Sequence, residues 1–78
     1  MKLETIEQID SKMQEIKAML REDDAYYVSD AIISNVDDPD LLELVEEMMA
    51  TQGYTADKIA EVSDVVKKIQ SLINESED

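Results

Sequence analysis

Apolar residues recur at helical spacing in separate stretches of the chain, and the polar residues between them set the boundaries. The first stretch carries Ile6, Ile9, Met13, Ile16 and Leu20, spaced 3, 4, 3 and 4 apart. That is a heptad seam, the pattern of a helix that buries one narrow face. Glu, Gln, Lys and Met fill most of the remaining positions, and all four favour helix. Glu4 near the start and Lys17 and Arg21 near the end suit the helix dipole. A helix is predicted from about Leu3 to Arg21.

Asp23 and Asp24 interrupt the seam and offer an N-cap. A second helix is expected from Ala25 to Asn35, with Val28, Ile32 and Val36 on one face and Tyr26, Tyr27 and Ile33 widening it. Its β-branched and aromatic content leaves a strand as the alternative. Asp37-Asp38-Pro39-Asp40 then reads as a helix start, with Asp38 as cap and Pro39 in the first helical position. The third helix places Leu41, Leu42, Val45, Met48 and Met49 inward and ends at Gly53, with Tyr54 packing back on Met49. Thr55 caps a fourth helix, and Tyr54 and Ile59 occupy the two positions of a hydrophobic staple. Its seam is Ile59, Val62, Val66, Ile69 and Ile73, widened by Val65 and Leu72, and Asn74–Asp78 is expected to fray.

These elements predict an all-α fold, a small bundle of three to four helices forming one domain. The two terminal seams are equal in length. They pair within one chain or across a homodimer. A parallel homodimer of the first helix would set Lys12 against Lys17 of the other copy, so an antiparallel arrangement or an intrachain bundle is favoured. At 78 residues the chain has a small stability margin, and with no cysteine it has no disulfide to widen it. The absence of histidine removes the commonest general base and the commonest metal ligand. No cofactor motif is present, and a non-catalytic protein is expected. No apolar run reaches the roughly 18 residues that cross a bilayer. A cytoplasmic protein without membrane contact is the expectation.

Charge changes the picture most. Formal net charge is −13. Over residues 1–21, Glu4, Glu7, Asp10 and Glu15 balance Lys2, Lys12, Lys17 and Arg21. Residues 58–78 interleave Lys58, Lys67 and Lys68 with their acids. Residues 22–57 hold Glu22, Asp23, Asp24, Asp30, Asp37, Asp38, Asp40, Glu43, Glu46, Glu47 and Asp57, with no Lys or Arg. Such a field repels nucleic acid and anionic membrane, and it attracts basic proteins. Caps and dipoles account for Asp24, Asp38, Asp40 and Asp57. Glu43, Glu46 and Glu47 have no such role and are the leading contact residues. Asp30, Asp37 and Asp40 are further charge contacts, and one of Tyr26 and Tyr27 is expected to be buried while the other anchors a partner. In size and charge the chain resembles acidic nucleic-acid mimics, such as phage inhibitors of host defence (anti-CRISPR proteins among them) or of transcription. The resemblance implies an inhibitor that occupies the basic groove of a nucleic-acid-binding protein. A structural adaptor acting through the helical seams is the competing expectation.

Three other patterns carry chemistry. Glu43-x-x-Glu46 with Glu61-x-x-Asp64 resembles the carboxylate pairs of MazG-type nucleotide pyrophosphohydrolases, which implies Mg²⁺-dependent hydrolysis. The basic and amide groups of that family's site are not recognisable. Asp37-Asp38-Pro39-Asp40-Leu41-Leu42-Glu43-Leu44-Val45 resembles the start of the second helix of acyl carrier proteins and Ala56–Ile69 their last helix, over about half the chain. Asp38 stands where their phosphopantetheine-bearing serine belongs, which argues against a working carrier. Asp37, Asp38 and Asp40 lack the alternate spacing, the central Gly and the closing Glu of an EF-hand calcium loop.

Overall fold

A computed structural model describes residues 2–75. It contains four helices, α1 Leu3–Met19, α2 Glu22–Ser34, α3 Leu41–Thr51 and α4 Ala56–Glu75, and no strand among the described residues. The strand alternative for the second segment is thereby overturned. Each helix packs on its chain neighbour, and α4 closes the ring against α1. The direction of the helices follows from which ends meet. Tyr54, after α3, hydrogen-bonds Arg21, after α1. Gln8 and Lys12 of α1 share a groove with Leu72 and Glu75 of α4. The bundle is therefore up-down-up-down, and the terminal helices pair within one chain.

The core has the predicted residues at its centre. Ile16, Val28, Ile32, Leu41, Val45, Met49, Val62, Val66 and Ile69 are all at most 1% exposed. Met13 and Val65 complete the cluster, and Ile9, Leu20, Val36, Ile59 and Ile73 pack on it from the edges. The ring of helices explains the gradation: a residue is sealed only where all four helices are present. By rise per residue, α1 and α4 reach about 25 and 30 Å, but α2 and α3 only about 20 and 16 Å. The radius of gyration is 12.0 Å, against about 11.5 Å for a sphere-like domain of this length. The small excess is the overhang of the terminal pair.

Ile6 is the seam residue that this overhang defeats. It is 49% exposed, and Leu3 before it is 71% exposed. Gln8 shares its groove with Leu72 and Glu75, so Leu3 and Ile6 lie at the far end of the α1–α4 pair.

Three boundaries differ from the sequence pattern. The first helix stops at Met19, because Leu20 and Arg21 turn extended (φ −119° and −63°) and form a two-residue link. Leu20 swings inward at that link, so its apolar side chain serves the core from outside the helix. The second helix starts at Glu22, three residues early, and Asp23 and Asp24 sit inside its first turn instead of capping it. Carboxylates there still face the positive end of the dipole. The third helix starts at Leu41, two residues later than Pro39 allowed. Asp38 is spent closing the preceding turn, where its Oδ1 accepts the Asp40 N–H at 2.8 Å. The other ends follow the pattern. Gly53 (φ +89°) takes the left-handed conformation after α3. The Tyr54 N–H then reaches Met49 O and the Gly53 N–H reaches Ala50 O, the pairing of a Schellman motif. Thr55 Oγ1 accepts the Lys58 N–H at 3.2 Å to cap α4. The helix continues through Asn74 and Glu75, where fraying was expected, while residues 76–78 lie outside the described part.

Candidate acidic interface on α2 and α3

The helical frame sorts the carboxylates of residues 22–57 by what surrounds them. Asp24 alone among them is drawn into a network. Its Oδ2 accepts the Tyr54 hydroxyl at 2.7 Å and pairs with Arg21 Nε at 2.7 Å. Arg21 Nη2 continues to Gln52 O at 2.6 Å, and the guanidinium stands 4.9 Å over the Tyr54 ring. The Tyr54 hydroxyl, having donated to Asp24, accepts the Arg21 N–H at 2.9 Å. This cluster ties the α1–α2 link to the α3–α4 link. The Tyr54 hydrogen bond, with the hydrogen bond and charge of Arg21 behind it, lowers the Asp24 carboxyl pKa against the opposing effect of burial, and Asp24 in turn raises Arg21. Sequence reasoning missed this network, because Tyr54 lies thirty or more positions from Asp24 and Arg21 and read only as an apolar staple.

The remaining carboxylates of the field face water. Glu43, Glu46 and Glu47 are all exposed and have no ion pair among the described residues. The contrast with α1 and α4 is direct: there Lys12 pairs with Glu15 at 2.9 Å and Lys58 with Glu61 at 3.4 Å. Glu43 and Glu47, one turn apart, form the outward ridge of α3. Glu46 turns toward α4 and, with Glu47, borders the α3–α4 groove. Glu47 also borders the α2–α3 groove. Asp30 is exposed on α2. Asp37 and Asp40 lie in the turn between α2 and α3, Asp40 immediately before the first residue of α3. Asp37 faces Gln70 and Asn74 of α4 there.

The tyrosines correct the sequence reading. Neither is buried: Tyr26 is 70% and Tyr27 60% exposed. Adjacent helix positions point about 100° apart, yet the two rings meet edge to face with centroids 5.5 Å apart. Ile33, expected to widen the buried face, is 67% exposed. The inward face of α2 is formed by Ala25, Val28, Ser29 and Ile32.

The alternative chemistries find little geometry. Glu46 and Asp64 border one groove, but among the described residues no three carboxylates converge as a metal site would need. Asp38, at the position that resembles the carrier serine, is engaged with the backbone of its own turn. Ser29 and Ser63 bury hydroxyls with no hydrogen-bond partner, and nothing in the structure explains them. Among the described residues no helix is long and apolar enough to cross a membrane. Comparisons with protein-family models, characterised proteins and solved structures find no match to this chain.

Proposed function

We propose that this chain is a non-catalytic binding module that docks its α2–α3 face on the basic surface of a nucleic-acid-binding protein and inhibits it by standing in for nucleic acid. One observation carries the reading: the carboxylates of α3 stand exposed on a helix that has no Lys or Arg, whereas α1 and α4 interleave lysines with their acids and each forms an ion pair. Like charges left unscreened weaken a small fold, so a use for them is the simplest account of their retention. Their density also suits the role. Glu43, Glu46 and Glu47 fall within about 6 Å of helix axis. A nucleic-acid strand presents one phosphate per about 3.4 Å. Asp30 on α2 continues the charge, and Asp37 and Asp40 extend it at one end.

Leu3 and Ile6, exposed on the overhang of α1, favour a second reading, a structural adaptor that joins a partner or a second copy through the terminal seams. Ionic strength separates the two. Contacts among exposed charges weaken as the Debye length falls from about 10 Å at 0.1 M to about 3 Å at 1 M salt. The mimic loses its partner across that range, as measured by isothermal titration at stepped salt concentrations. An affinity that holds across the range supports the adaptor and removes the mimic.

A further inference from the structure

The outward face of α2 is apolar at positions where a solvent-facing helix is ordinarily polar. Tyr26, Tyr27 and Ile33 leave well over half of their surfaces open. Tyr27 also forms one wall of a shallow groove of about 460 Å³ between α2 and α3. Leu44 and Met48 floor it, and Thr51 and Gln52 close one end. Leu44, Met48 and Thr51 are spaced by four and three, so the floor follows the α3 axis for roughly 10 Å. Glu47 borders the groove directly, and further carboxylates flank it on both helices. Glu43 and Glu47 lie on the α3 side. Asp23 and Asp30 lie three to four residues either side of the tyrosine pair, on the same outward face of α2. At the closed end, the Gln52 Oε1 is enclosed and has no hydrogen-bond partner.

We infer that this groove seats a cationic amphipathic helix of the partner protein, its apolar stripe on Tyr27, Leu44 and Met48 and its Lys or Arg rows against the carboxylates that flank the groove. The inference rests on the basic-partner reading and adds an apolar centre to it. Each other occupant leaves something unmet. A wholly polar basic surface would leave the open faces of the tyrosines uncovered by apolar contact. A wholly apolar helix would press the rim carboxylates into a low dielectric without counter-charge, which is costly. A second copy of this chain would bring an equally acidic face against the first. A cationic helix with one apolar stripe satisfies floor and rims together. The groove runs between two helices, so its walls repeat at the helical pitch, and a third helix fits such walls by ridges and grooves. A thioether on the floor adapts to varied apolar anchors, and tyrosine is among the side chains enriched where binding energy concentrates.

The test titrates the isotope-labelled full chain, followed by amide NMR, with three probes. The first is a Leu/Lys peptide of about 18 residues with leucines at i, i+3, i+4 and i+7. The second has the same composition with the leucines distributed around the helix, and the third is polylysine of equal charge. The expected result is binding of the amphipathic peptide on the order of tenfold tighter than its scrambled isomer, a hot-spot-sized difference. Shifts should concentrate on residues 23–34 and 43–52. Tyr26→Ser with Tyr27→Ser should weaken the amphipathic peptide by a similar factor and leave polylysine unchanged. Both rings are exposed, so this variant keeps its fold, and its amide spectrum checks that. Equal binding of the amphipathic and scrambled peptides overturns the inference while the basic-partner reading stands. Shifts confined to the α3–α4 groove overturn it likewise. Failure of all three cationic probes to bind overturns both.

Discussion

Asp24 shows how a single residue changes its meaning when the fold is known. By sequence it is one acid among many and a helix cap. In the structure it joins two links at one end of the bundle by accepting the Tyr54 hydroxyl and pairing with Arg21. Those partners lower its pKa, the Tyr54 hydrogen bond foremost. The unfolded chain therefore binds this proton more readily than the folded one. The stabilisation is present above the unfolded value of about 3.9 and is lost as pH falls through the lower folded value. Tyr54→Phe should raise the Asp24 pKa toward the ordinary carboxylate range, read by carboxyl NMR, and should lower stability at neutral pH more than in acid. An unmoved Asp24 titration in that variant would show that the network does not hold its charge. Asp24 also leaves the set of free acids, which sharpens the contrast with Glu43 and Glu47.

At the level of elements, the periodicity of apolar positions carried most of the fold. Both terminal seams, the Gly53 terminus and the Thr55 cap were legible because each depends on residues within a few positions. Boundaries at Arg21 and Pro39 were less so. There, tertiary contacts of Leu20 and the turn bond of Asp38 outweighed local preference. The outward turn of Ile33 and both tyrosines was hidden, because an apolar residue on a short helix reads as core until the neighbouring helices are placed. Seam membership likewise does not equal burial, and energetics should separate the two. Ile16→Ala removes a fully buried side chain and should cost about 2–5 kcal/mol. Ile6→Ala, half exposed on the overhang, should change stability by less than about 0.5 kcal/mol. Urea unfolding of both variants checks this, and equal costs would mean that the overhang is covered in solution.

For the molecule as a whole, a strongly acidic middle is joined to ends that interleave basic residues with their acids. Repulsion within residues 22–57 opposes folding, so sodium chloride between 0.01 and 0.5 M, which shortens the screening length from about 30 Å to a few Å, should raise Tm. A flat or falling Tm would mean that the acidic field costs the fold nothing, and that its retention needs no function. The candidate site was partly visible beforehand: the missing counter-charge and the α3 trio were in the sequence, but the apolar floor between α2 and α3 needed the packing. The most direct test of the central claim is retention of host proteins on the immobilised chain and on the Glu43→Lys, Glu46→Lys, Glu47→Lys variant, with helix content verified by circular dichroism. The account predicts that the wild-type chain retains a basic nucleic-acid-binding protein, that added nucleic acid releases it, and that the folded triple variant does not retain it. Retention of the same protein by the triple variant would contradict the account.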